Sequence, residues 1–210
     1  MRFLVKAALA FTFALWVMGK SWAQAPAGIN LEDILYLDLK SGRVAIQLRP
    51  DLAPKHVARI RKLAREGFYD GVVWHRVIAG FMAQTGDPTG TGTGGSSYPD
   101  LPAEFSSEPF VRGTVGMART SDPNSGNSQF FICFDDAPFL NGKYTVWGKV
   151  IRGMEHVDAI KKGDPGDRSG MVDDPDKILK MVVATDAKDH SVLTSTQPPA
   201  DPETQTRGSF

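Results

Sequence analysis

Arg76 sits in an alternating run, Val72-Val73-Trp74-His75-Arg76-Val77. A second run, Phe81-Met82-Ala83-Gln84, resumes the alternation after Ile78-Ala79-Gly80. A period of two is that of a β-strand, and on that register Arg76 shares a face with Val72 and Trp74. An arginine keeps its charge in any protein environment and is costly to bury without a partner. A guanidinium among large apolar side chains therefore has two readings. It is a snorkelling or ion-paired residue at a strand end, or it is a fixed donor aimed into an apolar site. His75 falls on the opposite face, where a structural hydrogen bond accounts for it better than catalysis. A second stretch, residues 113–150, supplies Gln129, Phe131, Phe139, Leu140 and Tyr144.

The elements that must position these residues follow from periodicity. Leu35, Leu37 and Leu39, then Val44, Ile46 and Leu48, alternate with other residues around the turn Ser41-Gly42, which predicts a β-hairpin with one face to a core and one to water. Between Ala53 and Glu66 the period changes to that of a helix, with Val57, Ile60, Leu63 and Ala64 on one stripe and most of the basic residues off it. Pro54 suits the first turn, and Gly67 closes the helix. Strands are predicted at 114–118, 128–134 and 145–150, a second helix at 153–160, a polar loop at 163–176 and a last strand at 178–187. Phe130 and Phe131 alternate, so only one of them can face a site outside the core. Gly90, Gly92 and Gly95 satisfy the dinucleotide-binding spacing GxGxxG, but Ser96-Ser97-Tyr98-Pro99 follows instead of a helix start, so that reading fails. A loop that admits another backbone at close range fits the glycines better. Seven or eight strands and two helices suggest a closed antiparallel barrel with helices over its ends.

Composition bounds the rest. The 210 residues are 41% hydrophobic and 23% charged with a formal charge of zero, ordinary values for one soluble domain and no footprint for nucleic acid. Residues 1–23 read as a secretory signal: Arg2 and Lys6 precede an apolar core, Ala7 to Met18, and Ser21-Trp22-Ala23 offers a cleavage site. That core rises only about 18 Å as a helix, short of the ~30 Å of a bilayer interior. An uncleaved anchor is the competing reading, and cleavage after Ala25 would place Pro26 beside the cut. The expected organisation is a signal at 1–23, a linker at 24–32, one domain at 33–188 and a disordered tail at 189–210, rich in Pro, Ser and Thr. A periplasmic or secreted monomer with no membrane contact after cleavage is expected. Cys133 is the sole cysteine, so no internal disulfide can form and no thiolate metal site can be built; a buried, inert thiol is expected. Asp135-Asp136 and Asp173-Asp174 read as solvated turn residues, and no metal or cofactor is expected.

Five blocks carry a family resemblance: FYDG, WHRVIAGFMAQTGDPTGTGTGG, GTVGMA, NSGNSQFFI and FLNGKYTVWGKV. In order and spacing they resemble the cyclophilins, the peptidyl-prolyl cis-trans isomerases, over residues 33–188. The resemblance implies an eight-stranded barrel capped by two α-helices, with the active site on the barrel's outer wall. It implies Arg76 as the catalytic residue and Phe81, Met82, Phe131 and Leu140 as walls of a proline pocket. Gln84 matches a position that hydrogen-bonds the peptide backbone, and Ala118 and Gln129 match positions along the adjoining groove. Three residues depart from the best-known members. Phe139 stands where many have Trp, Tyr144 where many have His, and Arg119 where many have Asn. Phe139 and Tyr144 resemble bacterial members, and Phe139 lacks the indole N–H that contributes to cyclosporin binding.

The implied partners are proline-containing peptides and unfolded or partly folded proteins. Rotation about an X-Pro bond breaks no covalent bond, so it requires no nucleophile, metal or cofactor. A non-catalytic proline-peptide binder is the rival reading, and Arg76 speaks against it, because binding alone has no need of that residue.

Overall fold

The computed structural model describes residues 28–194. The signal expected at 1–23, most of the linker and the chain beyond Thr194 lie outside the described residues. The order is β1 (Ile34–Leu39), β2 (Gly42–Leu48), α1 (Pro54–Arg65), β3 (Arg76–Ile78), β4 (Met82–Thr85), β5 (Thr114–Met117), β6 (Phe130–Cys133), β7 (Val146–Arg152), α2 (Met154–Asp158), β8 (Lys180–Val183) and α3 (Ser191–Thr194). The eight strands form one sheet in the order β3-β4-β6-β5-β7-β2-β1-β8, and every pairing is antiparallel.

The sheet is open, not the closed barrel expected. No ladder joins its edge strands β3 and β8; instead the irregular segment 170–178 lies along the β3 side. It makes isolated bridges Val73↔Lys177 and Arg76↔Met171 and hydrogen bonds such as Val77 N–H to Gly170 C=O at 2.8 Å. The cause is local. Gly, Pro and Asp punctuate residues 163–176, so the chain there turns repeatedly and supplies single bridges where a continuous strand would supply a ladder.

Inside the curl, Leu35, Leu37, Val44, Ile46, Trp74, Val115, Phe130, Ile132 and Trp147 form the main core. Phe130 meets the edges of Trp74 and Trp147, with ring centres 6.1 and 5.4 Å apart. Helix α1 contributes Val57, Ile60, Leu63 and Ala64 to this core. Its start lacks a side-chain cap from Ala53, and Glu104 replaces one: its carboxylate accepts the backbone N–H groups of Lys55 and His56 at 3.1 and 3.0 Å, an anion on the positive end of the helix. Gly67, at φ +69°, closes the helix with bonds from Gly67 N–H to Ala64 C=O and Phe68 N–H to Leu63 C=O. Three basic residues of α1 are ion-paired. Arg61 pairs with Asp33, Arg65 with Glu32 and Asp186, and Lys62 with Glu66.

Four further expectations change. The second helix is five residues long, and the last strand ends at Val183 in a 3-10 turn. The linker expected at 24–32 ends early, because Leu31–Asp33 form a 3-10 turn capped by the Asn30 side chain. The tail expected to be disordered from 189 packs through its first six residues. Leu193 joins Ile34, Tyr36, Ala45 and Ala184 in a small outer core, and Tyr36 Oη lies 2.9 Å from His190 Nδ1. That contact explains why β1 is buried on both faces, where alternation predicted one wet face.

Candidate active site

The outer face of β3, β4 and β6 carries a row of side chains set by strand register. Arg76 lies opposite Gln84, Gln84 opposite Phe131, and Phe131 opposite Gly116. Residues directly opposite in antiparallel strands point to the same side, so a cation, an amide and a ring stand side by side. The row places Arg76 away from Trp74, which lies in the interior core. The alternation expected through Trp74 and Arg76 breaks because regular strand begins only at Arg76. His75 is buried against Gly92, and burial holds its ring pKa below the ordinary histidine value. Neither ring nitrogen makes a well-aligned hydrogen bond among the described residues, and the Val73 backbone is the polar group that favours its protonated form.

Arg76 is held twice. Its Nε donates to the Ser169 carbonyl at 2.8 Å and its Nη1 to Gln84 Oε1 at 3.2 Å. Gln84 Nε2 then donates to Gln129 Oε1 at 2.9 Å, and Gln129 Nε2 donates to the carbonyls of Gly92 and Gly94 at 3.0 and 2.8 Å. This relay ties Arg76 to the glycine-rich loop. The loop is organised in turn by Asp87, which is fully buried. One carboxylate oxygen accepts Thr89 N–H and Oγ1, and the other accepts Gly92 N–H and Gly94 N–H, at 2.7 to 3.0 Å. Burial opposes ionisation of Asp87, but these donors prevail and hold its pKa down at about 2.

Beside the row is an apolar cluster of Met82, Phe110, Phe131, Cys133, Ala137, Leu140 and Val146. Phe131 stacks on Phe110 with ring centres 5.7 Å apart and takes the edge of Tyr144 at 5.8 Å. Gly116 makes room for that stack, since a Cβ there would come within 2.6 Å of Phe131 and 2.7 Å of Phe110. Phe139, 59% exposed, leans on Phe81 at 5.3 Å. Cys133 lies within the cluster, and burial pushes its thiol up to about 12, so it is no nucleophile.

Together these residues shape two depressions. The first, about 450 Å³, is apolar at its base and lined by Arg76, Phe81, Met82, Gln84, Ala118, Arg119, Phe131, Phe139, Leu140 and Tyr144, with Lys143 added. The second, about 480 Å³, adjoins it through Gln84, Ala118 and Arg119 and continues past Gln129 along the glycine-rich loop. All eleven residues singled out in the sequence thus line one continuous groove. Sequence reasoning missed Lys143, Phe110 and the Ser169 carbonyl. Lys143 adjoins Tyr144 and could have been named with it. Phe110 and Ser169 sit in irregular segments with no periodicity to announce them.

The family model described as cyclophilin type peptidyl-prolyl cis-trans isomerase/CLD matches residues 34–183. The chain belongs to the cyclophilin family. A probable peptidyl-prolyl cis-trans isomerase of Brucella suis is 56% identical over 199 residues, covering 90% of this chain and all of that protein. Peptidyl-prolyl cis-trans isomerase B of Bacillus subtilis is 44% identical over 132 residues, covering 61% of this chain and 91% of its own. Among solved structures, a cyclophilin of Hirschia baltica superposes with TM-score 0.68 at 29% identity, covering 76% of each chain. A cyclophilin of Cryptosporidium parvum, determined in the presence of the dipeptide Ala-Pro, superposes with TM-score 0.65 at 31% identity, covering 71% of this chain and 98% of that one. Family and fold agree, and this cyclophilin has the activity of its family, peptidyl-prolyl cis-trans isomerisation, whose substrates are proline-containing peptides.

Proposed function

We propose that this chain is exported and, as a monomer, speeds X-Pro rotation in unfolded or partly folded exported proteins, with Arg76 stabilising the twisted amide. Amide resonance sets a rotation barrier of ~18–20 kcal/mol, while cis and trans X-Pro forms lie within about 1 kcal/mol of one another. The catalyst has only to favour the twisted state over both planar ones. In that state the proline nitrogen regains a lone pair, and a guanidinium N–H can meet it only then. The twisted amide also loses its charge-separated resonance form, so an apolar surface such as Phe131, Met82 and Leu140 disfavours it less than it disfavours the planar form.

The observation that carries this reading is how Arg76 is held. Two neutral oxygens fix its Nε and Nη1, and among the described residues Nη2 has no hydrogen-bond partner. A donor fixed in advance costs little to order when the amide twists. One charge-assisted bond contributes about 1.5–3 kcal/mol, roughly one to two orders of magnitude in rate. The apolar pocket and the orientation of the peptide supply the rest. Exchange spectroscopy on an Ala-Pro peptide tests the activity: cis–trans exchange speeds up with added protein, and an unchanged exchange rate with folded protein sinks the reading. Intact mass of protein taken from the cell envelope tests export. A chain starting at Gln24 supports it, and a full-length, membrane-held chain contradicts it.

A further inference from the structure

The apolar depression is lined by three cations, Arg76, Arg119 and Lys143, and by no carboxylate. The chain as a whole has zero formal charge, so this is a local concentration and not a general property of the surface. Each cation has neutral partners. Arg76 donates to Gln84 and to the Ser169 carbonyl. Arg119 donates through Nε and Nη2 to the Lys143 carbonyl at 3.2 and 2.9 Å and through Nη1 to the Thr120 carbonyl at 2.9 Å. Its guanidinium carbon sits 4.4 Å from the centre of the Tyr144 ring. Lys143 Nζ donates to the Phe139 carbonyl at 3.1 Å. Arg43 and Arg112, by contrast, are paired with Asp38 and Asp158. Among the described residues, none of the three groove cations has a carboxylate within salt-bridge distance.

Arg119 is the informative one, since it lines both depressions. It is half-buried, stacked on a ring and fixed by three hydrogen bonds, so its charge is held in place without being neutralised. Its planar fork still has N–H groups to offer a carboxylate. The one carboxylate among the residues lining the two depressions is that of Asp100, which lines only the second and accepts a hydrogen bond from Asn127 Nδ2 at 2.9 Å. Cations along a low-dielectric cleft focus their field into it and favour a ligand of opposite sign.

From this we infer that the groove selects X-Pro segments bearing a carboxylate within two residues of the proline, with Arg119 as the main reader and Lys143 assisting. The inference rests on the isomerase reading for what the groove holds, and it adds which peptides it prefers. Binding and turnover are therefore measured separately. Capped alanine peptides with one central proline, carrying Asp, Ala or Lys at each position within two residues of it, are titrated by NMR. At low ionic strength the best-placed Asp peptide binds about two- to fivefold tighter than its Ala counterpart, and the Lys peptide binds weaker still. Added salt compresses the differences. Arg119→Gln brings the Asp-to-Ala ratio towards one, and exposed Lys143→Gln lowers it even if the Arg119 variant melts early. Equal affinities for Asp and Lys peptides overturn the preference, whatever the exchange rate. A clear Asp preference without accelerated exchange keeps the charge reading and overturns the enzyme reading. Accelerated exchange without preference does the reverse.

Discussion

Replacing Asp87 by asparagine removes a buried charge on which the glycine-rich loop is organised. The backbone N–H groups of Thr89, Gly92 and Gly94 and the Thr89 hydroxyl all point at its two oxygens, and in the variant one of those oxygens becomes an NH₂ that faces donors with a donor. The wild-type carboxyl has its pKa held down at about 2 in the fold, against roughly 3.9 in an unfolded chain. A folded-state pKa below the unfolded one contributes stability that is fully present above about pH 5 and lost as the pH falls through 2. The size is roughly 2–3 kcal/mol at neutral pH, with about 1 kcal/mol of it gone by pH 3. Confronting the donors adds to the loss, so Asp87→Asn costs about 2–4 kcal/mol at pH 7. Urea unfolding of wild type and variant at pH 7, 5, 4 and 3 measures this as a double difference. The other acids and histidines titrate in both proteins and cancel. The gap between the two narrows by about 1 kcal/mol from pH 7 to pH 3. Isomerase activity falls as well, because the carbonyls of Gly92 and Gly94 hold Gln129, and through it Gln84 and Arg76. A gap that stays constant with pH, or a variant as stable as wild type at pH 7, refutes the role given to Asp87.

Two further outcomes are expected. Leu193→Ala lowers stability by about 2 kcal/mol, the low end for a buried leucine, because Leu193 covers Tyr36 and Ala45 on the outer face of the first hairpin; an unchanged urea midpoint would show that residues 189–194 do not hold the sheet. Cyclosporin binds weakly, since Phe139 presents no N–H at the rim of the groove, and Phe139→Trp tightens it by about 5- to 150-fold; equal affinities by calorimetry would mean that residue 139 is not the determinant.

The parts of the fold legible in the sequence are those where a period repeats. Helix α1 announces itself through Pro54, Gly67 and the stripe of Val57, Ile60 and Leu63, and the structure gives it nearly the expected span. Alternation leaves Phe130 and Phe131 open and the family resemblance implies Phe131; the structure puts Phe130 in the interior and Phe131 in the outer cluster. Where alternation is short, it misleads. Three strand residues at β3 are too few to set a face, so the register counted back to Trp74 put Arg76 on the wrong side. The open edge of the sheet was hidden because the segment that lies along β3 has turn composition and pairs by single bridges. The packed start of the tail was hidden for a different reason. Asp189-His190-Ser191 is polar, and only two apolar residues follow, Val192 partly buried and Leu193 buried. The site row itself is a matter of register between strands, which no single segment encodes. The carbonyl of Ser169 that fixes Arg76 is a backbone group whose residue type carries no signal.

Arg76→Ala, assayed by exchange spectroscopy on a neutral Ala-Pro peptide with peptide affinity measured in parallel, separates a donor to the twisted amide from a contact that only binds. The donor meets the proline nitrogen only as the amide twists, so kcat and kcat/KM fall together by roughly 10- to 150-fold or more, while affinity for the planar peptide barely moves. Arg76→Lys restores only part of the rate, since an ammonium on a flexible stem cannot take the place of a fork fixed by Gln84 and Ser169. A folded Arg76→Ala protein that isomerises the peptide at the wild-type rate would mean that Arg76 does not stabilise the twisted amide.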